Sequence, residues 1–74
     1  MARNRFRCRI GYIKKNDSYA LYISSDGGET WGLSLESKCV RREGDPKDEE
    51  PMYVSIQLIE ELKKSISIGY TVDY

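Results

Sequence analysis

Between Arg5 and Ile13 polar and apolar side chains alternate, with Arg5, Arg7 and Arg9 on one side and Phe6, Cys8, Ile10 and Tyr12 on the other. Successive side chains of a strand leave opposite faces, so this alternation predicts a half-buried β-strand with a basic outer side. Asn16-Asp17-Ser18 follows as a turn cluster whose side chains bond their own backbone. Tyr19 to Ser24 is rich in aromatic and branched residues and predicts a second strand. Asp26-Gly27-Gly28 supplies the positive φ values of a tight hairpin turn. Trp31, Leu33, Leu35 and Cys39 are then expected on one face of a third strand, with Ser34, Glu36 and Lys38 opposite.

Residues 43–51 break the pattern, because Gly44, Asp45, Pro46 and Pro51 disfavour regular structure and the acids keep the segment solvated. Met52 to Ile56 reads as a fourth strand or an extended lead-in. Leu58, Ile59, Leu62 and Ile66 recur at helical spacing, with Glu60, Glu61, Lys63 and Lys64 on the other side. Ser55 is placed to cap this helix and Gly69 to stop it, and residues 68–72 return to strand chemistry. The expectation is one α+β domain over residues 1–74: a small, mostly antiparallel sheet of three to five strands with one amphipathic helix on one face. So small a core yields little net stability, so a homodimer or a bound partner would help it.

Charge changes this picture more through its distribution than its total. Twelve basic and twelve acidic side chains cancel, yet residues 1–15 hold six bases and no acid, and residues 16–37 four acids and no base. There is no histidine, which removes every mechanism built on an imidazole base or ligand, and two cysteines are too few for an all-cysteine zinc site. Cys8 and Cys39 share parity with apolar neighbours and are expected as inert thiols. No cofactor and no metal site is expected. The basic opening is not followed by an apolar run of signal-peptide length, and the longest mainly apolar stretch, Tyr19 to Ile23, falls far short of the ~20 residues that cross a bilayer. A cytoplasmic location without membrane contact is the expectation.

Ser24-Ser25-Asp26-Gly27-Gly28-Glu29-Thr30-Trp31 matches the pattern S-x-D-x-G-x-T-W at every specified position. It resembles the Asp box repeated in the blades of sialidases and related β-propellers and found also in unrelated folds such as small microbial ribonucleases. The resemblance implies a hairpin in which Ser24, Asp26 and Thr30 satisfy backbone groups, Gly28 adopts a conformation closed to other residues, and Trp31 enters the core. It transfers no catalytic residue, and one copy cannot build a propeller.

Catalysis is not expected. A carboxylate pair such as Asp17 with Glu36 would need one raised pKa in a sheltered cleft; turn and surface positions suit these acids better. The acidic run 45–50 lacks the spacing of a calcium loop. The row Arg5, Arg7, Arg9, joined by Tyr22, Arg41 and Arg42, is the candidate partner-binding surface, because arginine and tyrosine are enriched where interfaces concentrate their energy. In size and style the chain resembles the small inhibitors that phages direct at host enzymes, anti-CRISPR proteins among them. A protein partner ranks ahead of single-stranded nucleic acid because the net charge is zero. The nucleic-acid alternative rests on arginine spacing near that of phosphates, and on a strand-strand-strand-strand-helix order similar to single-stranded-DNA-binding domains of a transcriptional coactivator.

Overall fold

A computed structural model describes residues 4–46, 49–51 and 53–73. The first strand, β1 (Arg7–Ile13), turns through a short 3₁₀ segment at Lys14–Asn16 into β2 (Ser18–Ser24). Asp17 closes that turn in the left-handed region at φ 48°, a conformation aspartate tolerates because its short side chain bonds locally. After a loop over residues 25–31 comes β3 (Gly32–Lys38), then the helix α1 (Ile56–Ser67) and a short β4 (Thr71–Val72). The sheet order is β3-β2-β1-β4, with β4 parallel to β1 and the other pairs antiparallel. The architecture is α+β, a small and mostly antiparallel sheet with one helix.

Cys8, Tyr19, Leu21 and Leu58 form the centre of the core, with Ile10, Tyr12, Ile23, Leu35, Val54, Leu62 and Val72 packed around them. Cys8 faces Ile23, Ile10 faces Leu21 and Tyr12 faces Tyr19 across the β1–β2 ladder, so one side of the sheet is apolar and takes the helix. Ser55 caps that helix by accepting from the Leu58 amide at 3.3 Å and donates to Ser37 of β3 at 2.7 Å, tying the helix start to the sheet. The helix ends as Tyr70 donates its amide to the Ser65 carbonyl at 2.9 Å around Gly69, whose φ of 109° favours glycine. Cys8 and Cys39 are free thiols, the first buried and the second half-buried.

Three expectations are corrected. Arg5 precedes β1 rather than lying in it, because the ladder with β2 begins at Arg7 and Ser24. Asp26-Gly27-Gly28 does not make a tight turn; it sits in the longer loop 25–31. The third strand does not keep one phase. Leu35 pairs with Leu21 but Leu33 with Tyr22, so a β-bulge at this step sends Leu33 to the face opposite Leu35. Of the two readings for residues 52–56, a fourth strand or an extended lead-in, the second is the closer: only an isolated bridge between Val40 and Tyr53 forms, Ser55 is extended, Ile56 already opens the helix, and Met52 lies outside the described residues.

Candidate functional site

The face of the sheet away from α1 is built around Arg9. Its guanidinium lies over the Trp31 ring, 4.4 Å from the centroid, and 5.9 Å from the centroid of Tyr22. Arg9 and Tyr22 are direct partners across the β1–β2 ladder, which brings their side chains to the same face. Tyr22 leans onto Gly11, where an added Cβ would stand 3.4 Å from the ring; a strand glycine here clears room for the aromatic. Leu33, paired with Tyr22 by the bulge, adds a 57% exposed apolar side chain. A stacked, weakly hydrated guanidinium framed by tryptophan, tyrosine and leucine combines a charge-assisted donor with apolar area.

Trp31 therefore does not enter the core. It is half-buried on the outer face, its indole nitrogen donating to the Gly28 carbonyl at 3.0 Å and its ring 3.4 Å from where a Gly28 Cβ would lie. The loop that holds it there is organised by Asp26. One carboxylate oxygen accepts from the Ser24 hydroxyl at 2.7 Å and the Thr30 amide at 2.9 Å, and the other accepts from the Thr30 hydroxyl. The Ser24 hydroxyl in turn accepts from the Gly28 amide at 2.9 Å. These donors hold the Asp26 carboxyl far below the usual carboxylate range. Gly28 has φ 98°, which any side chain would strain.

The other arginines are dispersed. Arg7 reaches Asp73 at 3.8 Å. The carbonyl of Arg5 accepts from the Gly27 amide at 3.0 Å, so its backbone anchors the loop while the residue is exposed. Arg41 is a clasp. It meets Asp17 at 2.6 Å and also donates to the carbonyls of Pro46 and Glu49, tying these two residues to the β1–β2 turn. Arg42 lies over the Tyr53 ring at 4.3 Å. Arg9 and Tyr22 are thus brought together, Arg7 neighbours them, and Arg41 and Arg42 belong to a separate loop region.

The suggested acid–base pair is not poised for proton transfer. The Arg41 guanidinium holds the Asp17 carboxyl below its ordinary value, the reverse of what a general acid needs. Glu36 accepts from Ser18 at 2.7 Å and Asn16 at 3.1 Å. Burial and neighbouring Glu50 push the Tyr19 hydroxyl up to about 12, and it donates to Glu50 at 3.2 Å and to the Pro51 carbonyl. Among the described residues no helix is long and apolar enough to cross a membrane, and no three metal-ligating side chains converge.

Sequence reasoning missed Trp31 and Leu33 as members of this face. Gly11, an interior strand glycine, marks the close approach of Tyr22 but gives no sign of either residue. The chain matches no protein family, no curated protein and no solved structure.

Proposed function

We propose that the chain is a non-enzymatic binding protein that docks on another protein through Arg9, Tyr22, Trp31 and Leu33. The observation that carries this reading is the Arg9 guanidinium stacked at 4.4 Å on Trp31 beside the exposed Leu33. Tryptophan, tyrosine and arginine are the residues in which interface energy concentrates, and a preordered stack loses little side-chain entropy on binding. Nucleic acid is the weaker reading, because Arg7 is engaged by Asp73 and Arg41 by Asp17, which interrupts the run of free cations that a phosphate backbone requires. The element order, with α1 between β3 and β4, also departs from the strand-strand-strand-strand-helix pattern. Acting by occupancy rather than by chemistry is how small phage inhibitors of host proteins work, and this surface suits such a role.

Trp31 is the chain's single tryptophan, so its emission reports on this face alone. A photo-crosslinking residue in place of Leu33 is expected to capture a protein in the cell that makes the chain, and one in place of the exposed Lys15 in the β1–β2 turn is not. Arg9→Glu should remove that adduct. Saturable quenching of Trp31 by oligothymidylate at low salt, with no protein adduct from position 33, would overturn the reading in favour of nucleic acid.

A further inference from the structure

A protein that covers Tyr22, Trp31 and Leu33 must also take water away from Arg9. Arg9 is exposed, and the Trp31 ring beneath it already screens one side of its guanidinium. Among the described residues it forms no ion pair and donates no side-chain hydrogen bond. The other arginines differ. Arg7 is paired with Asp73 and Arg41 with Asp17. Arg42 lies over Tyr53 much as Arg9 lies over Trp31, but it lines a cavity together with Asp45, Glu49 and Glu50. Arg5 is exposed and lies over no ring among the described residues. Glu36 is brought to the Arg9 face by its pairing with Ala20, yet its carboxylate is held by Ser18 and Asn16. Among the described residues, Arg9 therefore combines a fixed position with unengaged donors. A guanidinium buried in that condition is strongly unfavourable, because it gives up its water and gains no acceptor.

We infer that the partner meets Arg9 with the carboxylate of an aspartate or glutamate and Leu33 with a large apolar side chain; this rests on the docking reading above and names the chemistry it recognises. The planar fork of guanidinium N–H donors fits the two oxygens of a carboxylate, and such charge-assisted pairs are the strong ones. A neutral carbonyl would accept from the fork but leave the buried charge unpaired. A phosphate would also match the fork, but proteins that recognise phosphate gather several cations around it, and the neighbouring Arg7 has Asp73 beside it. Leu33 stands two ladder steps from Arg9, through Tyr22, and is 57% exposed. Neighbouring strands lie about 4.8 Å apart, so the two contact points are separated by about 10 Å and one short segment of the partner can carry both groups.

Selection of phage-displayed random dodecapeptides on the immobilised full chain tests this, followed by fluorescence anisotropy of the selected peptides. The enriched peptides are expected to share an acidic residue and a large apolar one. Arg9→Lys keeps the charge and loses the fork, so it should weaken these peptides about tenfold or more, whereas Arg42→Lys should leave them unchanged. Replacing the peptide's acid by its amide should weaken binding to the wild type by a similar factor and add little to the loss in Arg9→Lys. Circular dichroism should be the same for every variant. A selection that enriches no acidic peptide, or acidic peptides indifferent to Arg9→Lys, would overturn the inference. In either case, peptides lost with Leu33→Glu would leave the docking face in place, and peptides indifferent to Leu33→Glu would remove the face as well. Oligothymidylate that binds the wild type at low salt more tightly than every selected peptide would overturn the inference in favour of phosphate.

Discussion

Leu33 is paired with Tyr22 across the β2–β3 ladder, and that pairing turns it to solvent on the side of the sheet opposite Leu35. The bulge between Leu21 and Tyr22 is the whole cause: without it, strand alternation would carry Leu33 into the core. Truncating each leucine separates the two environments. Leu33→Ala should change unfolding free energy by about 0.5 kcal/mol or less, and Leu35→Ala, which packs against the core cluster, should cost about 2 kcal/mol. Equal costs in urea denaturation would place both side chains on one face.

Helix docking rests on one fully buried side chain and one cap. Leu58 has no exposed surface, so Leu58→Ala should cost about 2–5 kcal/mol by leaving a cavity beside Cys8 and Leu21. Ser55→Ala loses the bond to the Leu58 amide and the bond to Ser37, and about 1 kcal/mol of stability should go with the cap. Chemical denaturation monitored by circular dichroism measures both.

Stability should fall off at both ends of the pH scale, for opposite reasons. Asp17 and Asp26 have folded-state carboxyls below their ordinary values, so their contribution is complete above pH ~4, near the unfolded carboxyl pKa, and is lost as the pH falls toward the folded values. Tyr19 is pushed up to about 12, so its contribution is complete below the unfolded tyrosine value near 10 and is lost as the pH rises toward 12. In thermal melts from pH 2 to 12, Asp26→Asn should flatten the acid limb and Tyr19→Phe the alkaline limb. An acid limb unchanged by Asp26→Asn and by Asp17→Asn would contradict the assignment.

Arg41 ties distant parts of the chain together. Its bonds to Asp17 and to the carbonyls of Pro46 and Glu49 hold those two carbonyls against the β1–β2 turn. Arg41→Ala should speed limited proteolysis within residues 43–51 by about tenfold or more while leaving partner capture through position 33 intact. Lost capture with unchanged proteolysis would reverse those roles.

Much of the frame could be read from the residues alone. Period-two alternation marked β1 from Cys8 to Tyr12, the Ser55 and Gly69 signals bounded α1, and the cluster at Asn16-Asp17-Ser18 marked the first turn. The site was only half legible. Arg9 and Tyr22 were named from residue type and alternation, but Trp31 and Leu33 were assigned to the wrong face. A bulge changes the phase of a strand without altering its composition, and nothing between Trp31 and Leu35 signals it. Arg41 looked like a free cation because its partner, Asp17, is distant in the chain; charge pairing across such a separation is set by topology. The apolar stripe on α1 was correctly spaced, but the run of strand-forming residues at 68–72 delivers a strand of only two residues, Thr71–Val72.

The most direct test of the docking surface is quantitative co-purification from the cell that makes the chain, comparing the wild type with Arg9→Glu/Leu33→Glu and with Glu60→Lys. One protein should be recovered with the wild type and with Glu60→Lys and be lost with Arg9→Glu/Leu33→Glu, whose thermal melt should match the wild type. Recovery of that protein at equal yield with all three chains would contradict the assignment of function to the Arg9 face.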